Sequence, residues 1–171
     1  TIDLYLLHRD DSRVPVAEVV EALNGHVQAG RIRYLGASNW SVARLTAANA
    51  YAATHGLQGF CVSQVHWSLA EPTWEMGPDP TMRCLTAPDA AWHAATGLPV
   101  MAYLPSAGGY FAGRAQSYNT PTNAARRDRA RQLAAEMGLT PTQVALAYLL
   151  NQPFPVYPIV GTMNGAHLAE A

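Results

Sequence analysis

Short apolar runs alternate with helically spaced apolar positions along most of the chain. Ile2–Leu7 is a short apolar run closed by His8, Arg9 and two aspartates, which predicts a buried strand. Val16, Val19, Val20, Leu23 and Val27 then recur at helical spacing, with Pro15 at a plausible first helical position and Gly30 as the stop. Ile32–Leu35 predicts a second strand. Ser41 is placed to cap a helix running to about His55 and ended by Gly56. Phe60–Val65 predicts a third strand. The stretch from Trp67 to Asp89 loses periodicity and gains prolines, so it reads as a long loop. A helix over Ala90–Thr96 and a strand over Pro99–Tyr103 follow. Residues 105–123, rich in Gly, Ser, Asn and Pro, predict another loop. Ala124–Met137 reads as a helix stopped by Gly138. Thr140-Pro141-Thr142-Gln143 is a capping box opening a helix that ends at Gln152-Pro153. Val156–Val160 predicts the last strand, and a final helix has barely begun at Ala171.

Five strands alternating with helices predict an α/β fold with a parallel sheet and right-handed crossovers. Two architectures fit: an open doubly wound sheet, or part of a (β/α)8 barrel. No G-x-G-x-x-G fingerprint follows the first strand, which counts against a dinucleotide-binding open sheet. A full barrel needs about 250 residues and seldom fewer than about 200, and this chain has 171. The expectation is a partial barrel of about five βα units forming a single domain.

Composition narrows the function. The net charge is −1 and 13% of residues are charged, so neither nucleic acid nor an anionic membrane surface is an expected partner. Arg126, Arg127, Arg129 and Arg131 read as a solvated helix face. No apolar stretch is long enough to span a bilayer, and no charged-then-apolar leader opens the chain, so cytoplasm is the expected compartment. Two cysteines make no disulfide framework, and Cys61 is expected as a small core residue. His66, Cys84 and His93 lack the tight pair spacing of zinc ligands, so no metal site is expected. All eleven basic residues are arginine. Chemistry that needs a lysine cannot be completed by this chain alone.

The strand ends carry a family pattern. Asp3-Leu4-Tyr5-Leu6-Leu7-His8 resembles the fourth strand of the aldo-keto reductases, which ends in a catalytic histidine. Gly36-Ala37-Ser38-Asn39-Trp40 resembles the family's fifth-strand signature of glycine, any residue, Ser-Asn and an aromatic. Gln64 ends the next strand, where the family has a glutamine. Ala102-Tyr103-Leu104-Pro105 is similar to the seventh strand. Pro158-Ile159-Val160-Gly161-Thr162 and Ala166-His167-Leu168 are similar to the eighth strand and the helix after it. The matches run through the whole chain in the family's order.

The resemblance implies a (β/α)8 barrel from its fourth to its eighth strand, with the first three units absent. It implies oxidoreduction with NADP or NAD, hydride passing between nicotinamide and a small-molecule carbonyl or alcohol. His8 would hydrogen-bond the substrate carbonyl. Ser38, Asn39 and Gln64 would bind the nicotinamide carboxamide, and Tyr103 would stack on the ring. The backbone at Gly161-Thr162 and the helix start near His167 would approach the adenosine phosphate. Elementary chemistry agrees. His8, Ser38 and Gln64 each sit at the C-terminal end of a strand, the active-site face of parallel barrels. Uncharged Ser, Asn and Gln supply the donors and acceptors an amide needs. Gly36 is expected to leave room beside the cofactor.

Plainer readings stand beside these. His8 could be a surface residue, Ser38-Asn39 a turn and helix cap, Gln64 a partner for a loop carbonyl, and Tyr103 core packing. Trp67, Trp74 and Trp92 could wall a substrate pocket or pin the long loop. Tyr110 and Phe111 could cover the cofactor or simply pack. Thr162, Met163, Asn164 and His167 stand where NADP-preferring relatives carry basic residues, which leaves NAD against NADP open. The tyrosine, lysine and aspartate that complete the family's catalytic set belong to its first three units, so the isolated chain is expected to be catalytically incomplete. The alternative is a non-catalytic cofactor-binding or regulatory module. Unpaired edge strands would favour self-association, or pairing with a missing N-terminal segment or a fused domain.

Overall fold

The computed structural model describes residues 1–73, 79 and 81–171. Its elements alternate as the apolar pattern predicts. They are β1 (Ile2–Leu7), α1 (Val16–Gln28), β2 (Ile32–Ser38), α2 (Val42–Thr54), β3 (Phe60–His66), α3 (Ala87–Thr96), β4 (Val100–Tyr103), α4 (Pro121–Met137), α5 (Pro141–Leu150), β5 (Val156–Ile159) and α6 (Gly165–Glu170). The strands follow one another in the sheet in sequence order. β1 pairs parallel with β2, and β2 parallel with β3. This is an α/β fold.

The chain divides into two compact units. The first is Thr1–Val65 with Thr81–Val100, and the second is His66–Pro80 with Met101–Ala171. In the first unit, Leu35 and Ala37 of β2 pack under Val20 and Leu23 of α1 and Leu45, Ala48 and Ala52 of α2, with Trp40 and Phe60 closing the cluster. Strand alternation turns the other face of β2, with Gly36 and Ser38, away from these helices. The second unit is built on Tyr110, Phe111 and Tyr118 against the small faces Ala130, Ala134 and Ala145 of α4 and α5.

Several boundaries differ from the sequence expectation, each for a local reason. Pro15 is the N-cap of α1 rather than its first helical residue; its extended ψ of 140° lies outside the helix. α3 starts at Ala87, three residues before the expected Ala90. Thr86 and Asp89 form a reciprocal capping box there, and the aspartate in the place of the usual glutamate hides the signal. α4 likewise starts at Pro121 rather than Ala124, because the Thr120 hydroxyl accepts from Asn123 N at 3.1 Å. The expected loop over 105–123 contains a 3-10 segment, Ala107–Ala112, whose Tyr110 and Phe111 are fully buried. Those two side chains are core.

Cys61 also departs from expectation: it is exposed. The register between β2 and β3 shifts between Leu35/Ala37, so that Leu35 faces Phe60 while Ala37 faces Ser63. The extra residue in β3 carries Cys61 outward. Three asparagines bind the chain to itself across long separations. Asn24 pairs through its amide with the backbone of Gln58, Asn49 with Phe60, and Asn123 with Glu71. In each pair one side chain both donates and accepts, as a strand partner would.

Candidate functional site

In the first unit the ends of β1, β2 and β3 assemble a small polar rim. Leu7 is in register with Ala37, and Ser38 with Gln64. One step past the first pair, His8 reaches the level of Ser38. His8, Ser38 and Gln64 therefore fall on one edge and, by alternation, on one face. Ser38 is buried, Gln64 is half-buried, and His8 is exposed.

Asn39 holds the rim together. Its φ of 60° puts it in the left-handed region, where asparagine is among the few tolerated non-glycine residues. Its backbone N–H donates to Gln64 O at 2.9 Å, extending the pairing of β2 with β3. Its Nδ2 donates to Ser38 Oγ at 3.0 Å and to His8 O at 3.3 Å, and its Oδ1 accepts from Arg83 N at 3.0 Å. Both amide donors are thus used inside the protein. The Ser38 hydroxyl accepts from Asn39 and keeps its own proton to offer. Among the described residues the Gln64 amide has no side-chain hydrogen-bond partner.

The loop that follows His8 is clamped by a contact that sequence reading missed. Arg44 Nη2 donates to Asp10 Oδ1 at 2.8 Å and Nε donates to Oδ2 at 3.0 Å, a fork-to-carboxylate pair. The same guanidinium donates to Val14 O at 3.0 Å and lies 4.8 Å from the centre of the Trp40 ring. An aspartate two residues beyond a strand-end histidine was the available signal. Only the fold brings an arginine 34 residues away to it.

Gly36 lies two residues below Ser38 on the same face of β2, but its surroundings differ from the expectation. A Cβ there would stand 2.8 Å from Val62 Cγ1 and 3.0 Å from Leu6 Cδ2. The space that glycine leaves is filled by these two side chains, which close the floor beneath Ser38 and Gln64.

The second unit holds the remaining candidates. The Tyr103 ring is 5.5 Å from that of His66, and His66 Nε2 lies 2.9 Å from Tyr118 OH. Burial drives the His66 pKa down to about 4, so the imidazole is neutral near pH 7. Gly161 and Thr162 follow β5, and Thr162 Oγ1 accepts from Asn164 N at 3.1 Å. His167 meets a residue that the sequence did not flag. Arg114 Nη2 is 3.1 Å from His167 Nε2 and Nη1 is 3.3 Å from Nδ1. A neutral imidazole has one acceptor nitrogen, so at most one of these contacts is a hydrogen bond. The arrangement brings a fixed positive charge to His167.

Trp67 stacks on Phe154 with centroids 5.8 Å apart and meets Tyr148 edge-on, which pins the start of the long loop. Trp92 packs against the first unit's core, and Trp74 lies outside the described residues. Among the described residues no group of three or more His, Cys, Asp or Glu could hold a metal, and no helix is long and apolar enough to cross a membrane.

Comparison with known proteins gives one consistent result. The model of the aldo/keto reductase family matches residues 1–171. The chain is 33% identical over 180 residues to the uncharacterized oxidoreductase YrpG of Bacillus subtilis (strain 168), covering 99% of this chain and 52% of that protein. It is 30% identical over 186 residues to the probable aldo-keto reductase 1 of Glycine max, covering 99% of this chain and 49% of that one. Its fold resembles the thermostable aldo-keto reductase Tm1743, solved with the inhibitor epalrestat, at a TM-score of 0.73 and 23% identity, over 98% of this chain and 52% of that one. It resembles a putative 2,5-diketo-D-gluconic acid reductase B at a TM-score of 0.70 and 25% identity, over 98% and 49% of the two chains. The chain spans about half the length of the relatives it matches.

Proposed function

The chain belongs to the aldo/keto reductase family, and on that premise we propose that it supplies the nicotinamide-binding part of an NAD(P)-dependent oxidoreductase barrel. It corresponds to the fourth through eighth βα units of a (β/α)8 barrel. The reaction is hydride transfer between the nicotinamide and a carbonyl or alcohol substrate. The observation that carries this reading is the Ser38–Gln64 register pair with Asn39 turned left-handed beside it.

The donor set fits a carboxamide. The Gln64 amide offers a donor and an acceptor, and the Ser38 hydroxyl offers a proton whose direction Asn39 restricts. In this reading Ser38 and Gln64 meet the carboxamide, and Asn39 completes the set by fixing them. His8, at the same edge, orients the substrate oxygen, while Tyr103 stacks on the ring. Gly161, Thr162 and His167 approach the adenosine phosphate. Arg114 at His167 supplies the positive charge that a 2′-phosphate requires, which favours NADP over NAD. The bound nicotinamide supplies the hydride; the residues of this chain bind and orient.

The eleven basic residues are all arginine. A lysine that lowers the pKa of an acid tyrosine must therefore come from outside these residues. That same fact favours the second reading, a cofactor-binding module without turnover. Titration calorimetry of the intact protein with NADPH and NADH tests the shared premise. Binding of NADPH is expected to weaken about tenfold in Gln64→Ala, and Arg114→Ala is expected to reduce the preference for NADPH over NADH. Unchanged affinity in Gln64→Ala refutes the rim assignment. Aldehyde reduction by the intact protein separates the enzyme from the module.

A further inference from the structure

A second site lies in the first unit, on the opposite face of β3 from Gln64. Ser63 precedes Gln64, so its side chain points to the other face of the strand. There Trp40, Ser63, Arg83, Thr86, Asp89 and His93 line a cavity of about 140 Å3. Nothing in the nicotinamide reading uses it.

Most polar groups around the cavity are engaged. Asp89 Oδ2 accepts from Thr86 N at 2.9 Å and from Thr86 Oγ1 at 2.7 Å. His93 Nδ1 lies 2.8 Å from Leu98 O. Two groups are different. Trp40 is 3% exposed and Ser63 is 1% exposed, and among the described residues neither Trp40 Nε1 nor Ser63 Oγ has a hydrogen-bond partner. Burying a polar group unpaired is costly, so two such groups lining one cavity point to a partner inside it.

The chemistry of that partner follows from the lining. An indole N–H only donates, and a hydroxyl donates as well as accepts. The guest must therefore present an acceptor oxygen. Arg83 and Asp89 in the lining carry opposite charges, which disfavours a guest with a net charge. A cavity of about 150 Å3 takes a benzene-sized guest. We propose that this cavity binds an uncharged carbonyl compound or alcohol of about six non-hydrogen atoms, its oxygen held by Trp40 Nε1 and Ser63 Oγ.

The test uses the intact protein with 15N-labelled tryptophan and cyclopentanone as the probe, in the presence of NADP+. The indole resonance that disappears in Trp40→Phe is assigned to Trp40. Titration is expected to move this resonance saturably, and Ser63→Ala is expected to weaken the binding about fivefold. Ser63→Ala removes no protein hydrogen bond, so the variant keeps its fold. NADP+ leaves the titration unchanged, because the rim lies on the other face of the strand. Failure of NADP+ to bind would count against the nicotinamide reading and leave this one standing. The proposal is overturned if the Trp40 resonance does not move at tens of millimolar probe, or if it moves identically in Ser63→Ala. Crystals soaked in cyclopentanone that show ordered water alone in the cavity overturn it as well.

Discussion

Replacing Asn39 by alanine removes the residue on which the rim depends. Two separate losses add. The first is backbone: at φ 60° a β-carbon is strained, and alanine lacks the local hydrogen bonding that lets asparagine stay there, at about 1–2 kcal/mol. The second is the side chain. Alanine loses the bonds to Ser38 Oγ and Arg83 N, each 3.0 Å, and the longer one to His8 O at 3.3 Å. At about 1 kcal/mol net for each of the two short bonds, and less for the long one, this adds about 2–3 kcal/mol. Asn39→Ala should therefore destabilise by about 4 kcal/mol. Asn39→Gly keeps the left-handed turn and should cost about 1 kcal/mol less. Urea unfolding of the intact protein, with an unchanged denaturant slope, measures both. Both variants should also bind NADPH about tenfold more weakly, because Ser38 loses the partner that fixes its hydroxyl. The reasoning fails if Asn39→Ala lies within 1 kcal/mol of the parent protein. It fails equally if the glycine variant is as damaged as the alanine variant.

Other substitutions test the supports of the rim. Gly36→Ala places a methyl 2.8 Å from the stiff Val62 side chain, so thermal unfolding should report a loss of about 1–3 kcal/mol. Combining it with Val62→Ala should recover part of that loss, and strict additivity would contradict the packing account. Arg44→Lys keeps the charge but loses the fork onto Asp10 and should cost about 1–2 kcal/mol. It should also raise protease sensitivity in residues 9–14; unchanged cleavage there would sink the clamp. His66 carries a pH prediction. Its folded pKa, about 4, lies below the ordinary 6.5, so below pH 6.5 the unfolded chain binds the proton first. Stability is then whole above pH 6.5 and declines as the pH falls towards 4, by at most about 1.4 kcal/mol per pH unit. His93 is shifted the same way by burial. Denaturation midpoints of His66→Gln should show a shallower acid slope, and an identical slope would refute the assignment.

What the sequence made legible was whatever repeats with a period or sits at an end. β1 was read to the residue, because an apolar run closed by charged residues has two clear edges. The α5 start was read from a Thr-Pro-Thr-Gln box that the structure forms in full. Reading stopped where structure depends on partners distant in the chain. The Gly- and Ser-rich stretch after β4 read as a loop, with packing or cofactor cover both open for Tyr110 and Phe111. Yet Tyr110, Phe111 and Tyr118 within it form the centre of the second unit, because α4 and α5 present alanines that admit large rings. Periodicity cannot report a core that is built on irregular backbone.

The rim shows the same division at the scale of single residues. His8, Ser38 and Gln64 could be placed together from sequence because parallel register carries consecutive strand ends to one level. What those residues do with their hydrogen bonds could not be placed, since that depends on a dihedral angle and on Arg83, which lies 44 residues beyond Asn39. Asn39 read either as one of three amide-binding side chains or as part of a turn and helix cap. In the structure its side-chain donors go to Ser38 Oγ and His8 O, whereas the buried Ser38 keeps its hydroxyl proton and Gln64 is half-buried, so the proposed reading gives the three unequal parts. Loss of Gln64 should therefore reduce cofactor affinity with little effect on stability, whereas loss of Asn39 should reduce both. That contrast is the measurable consequence of an asparagine held at positive φ beside a strand-end serine.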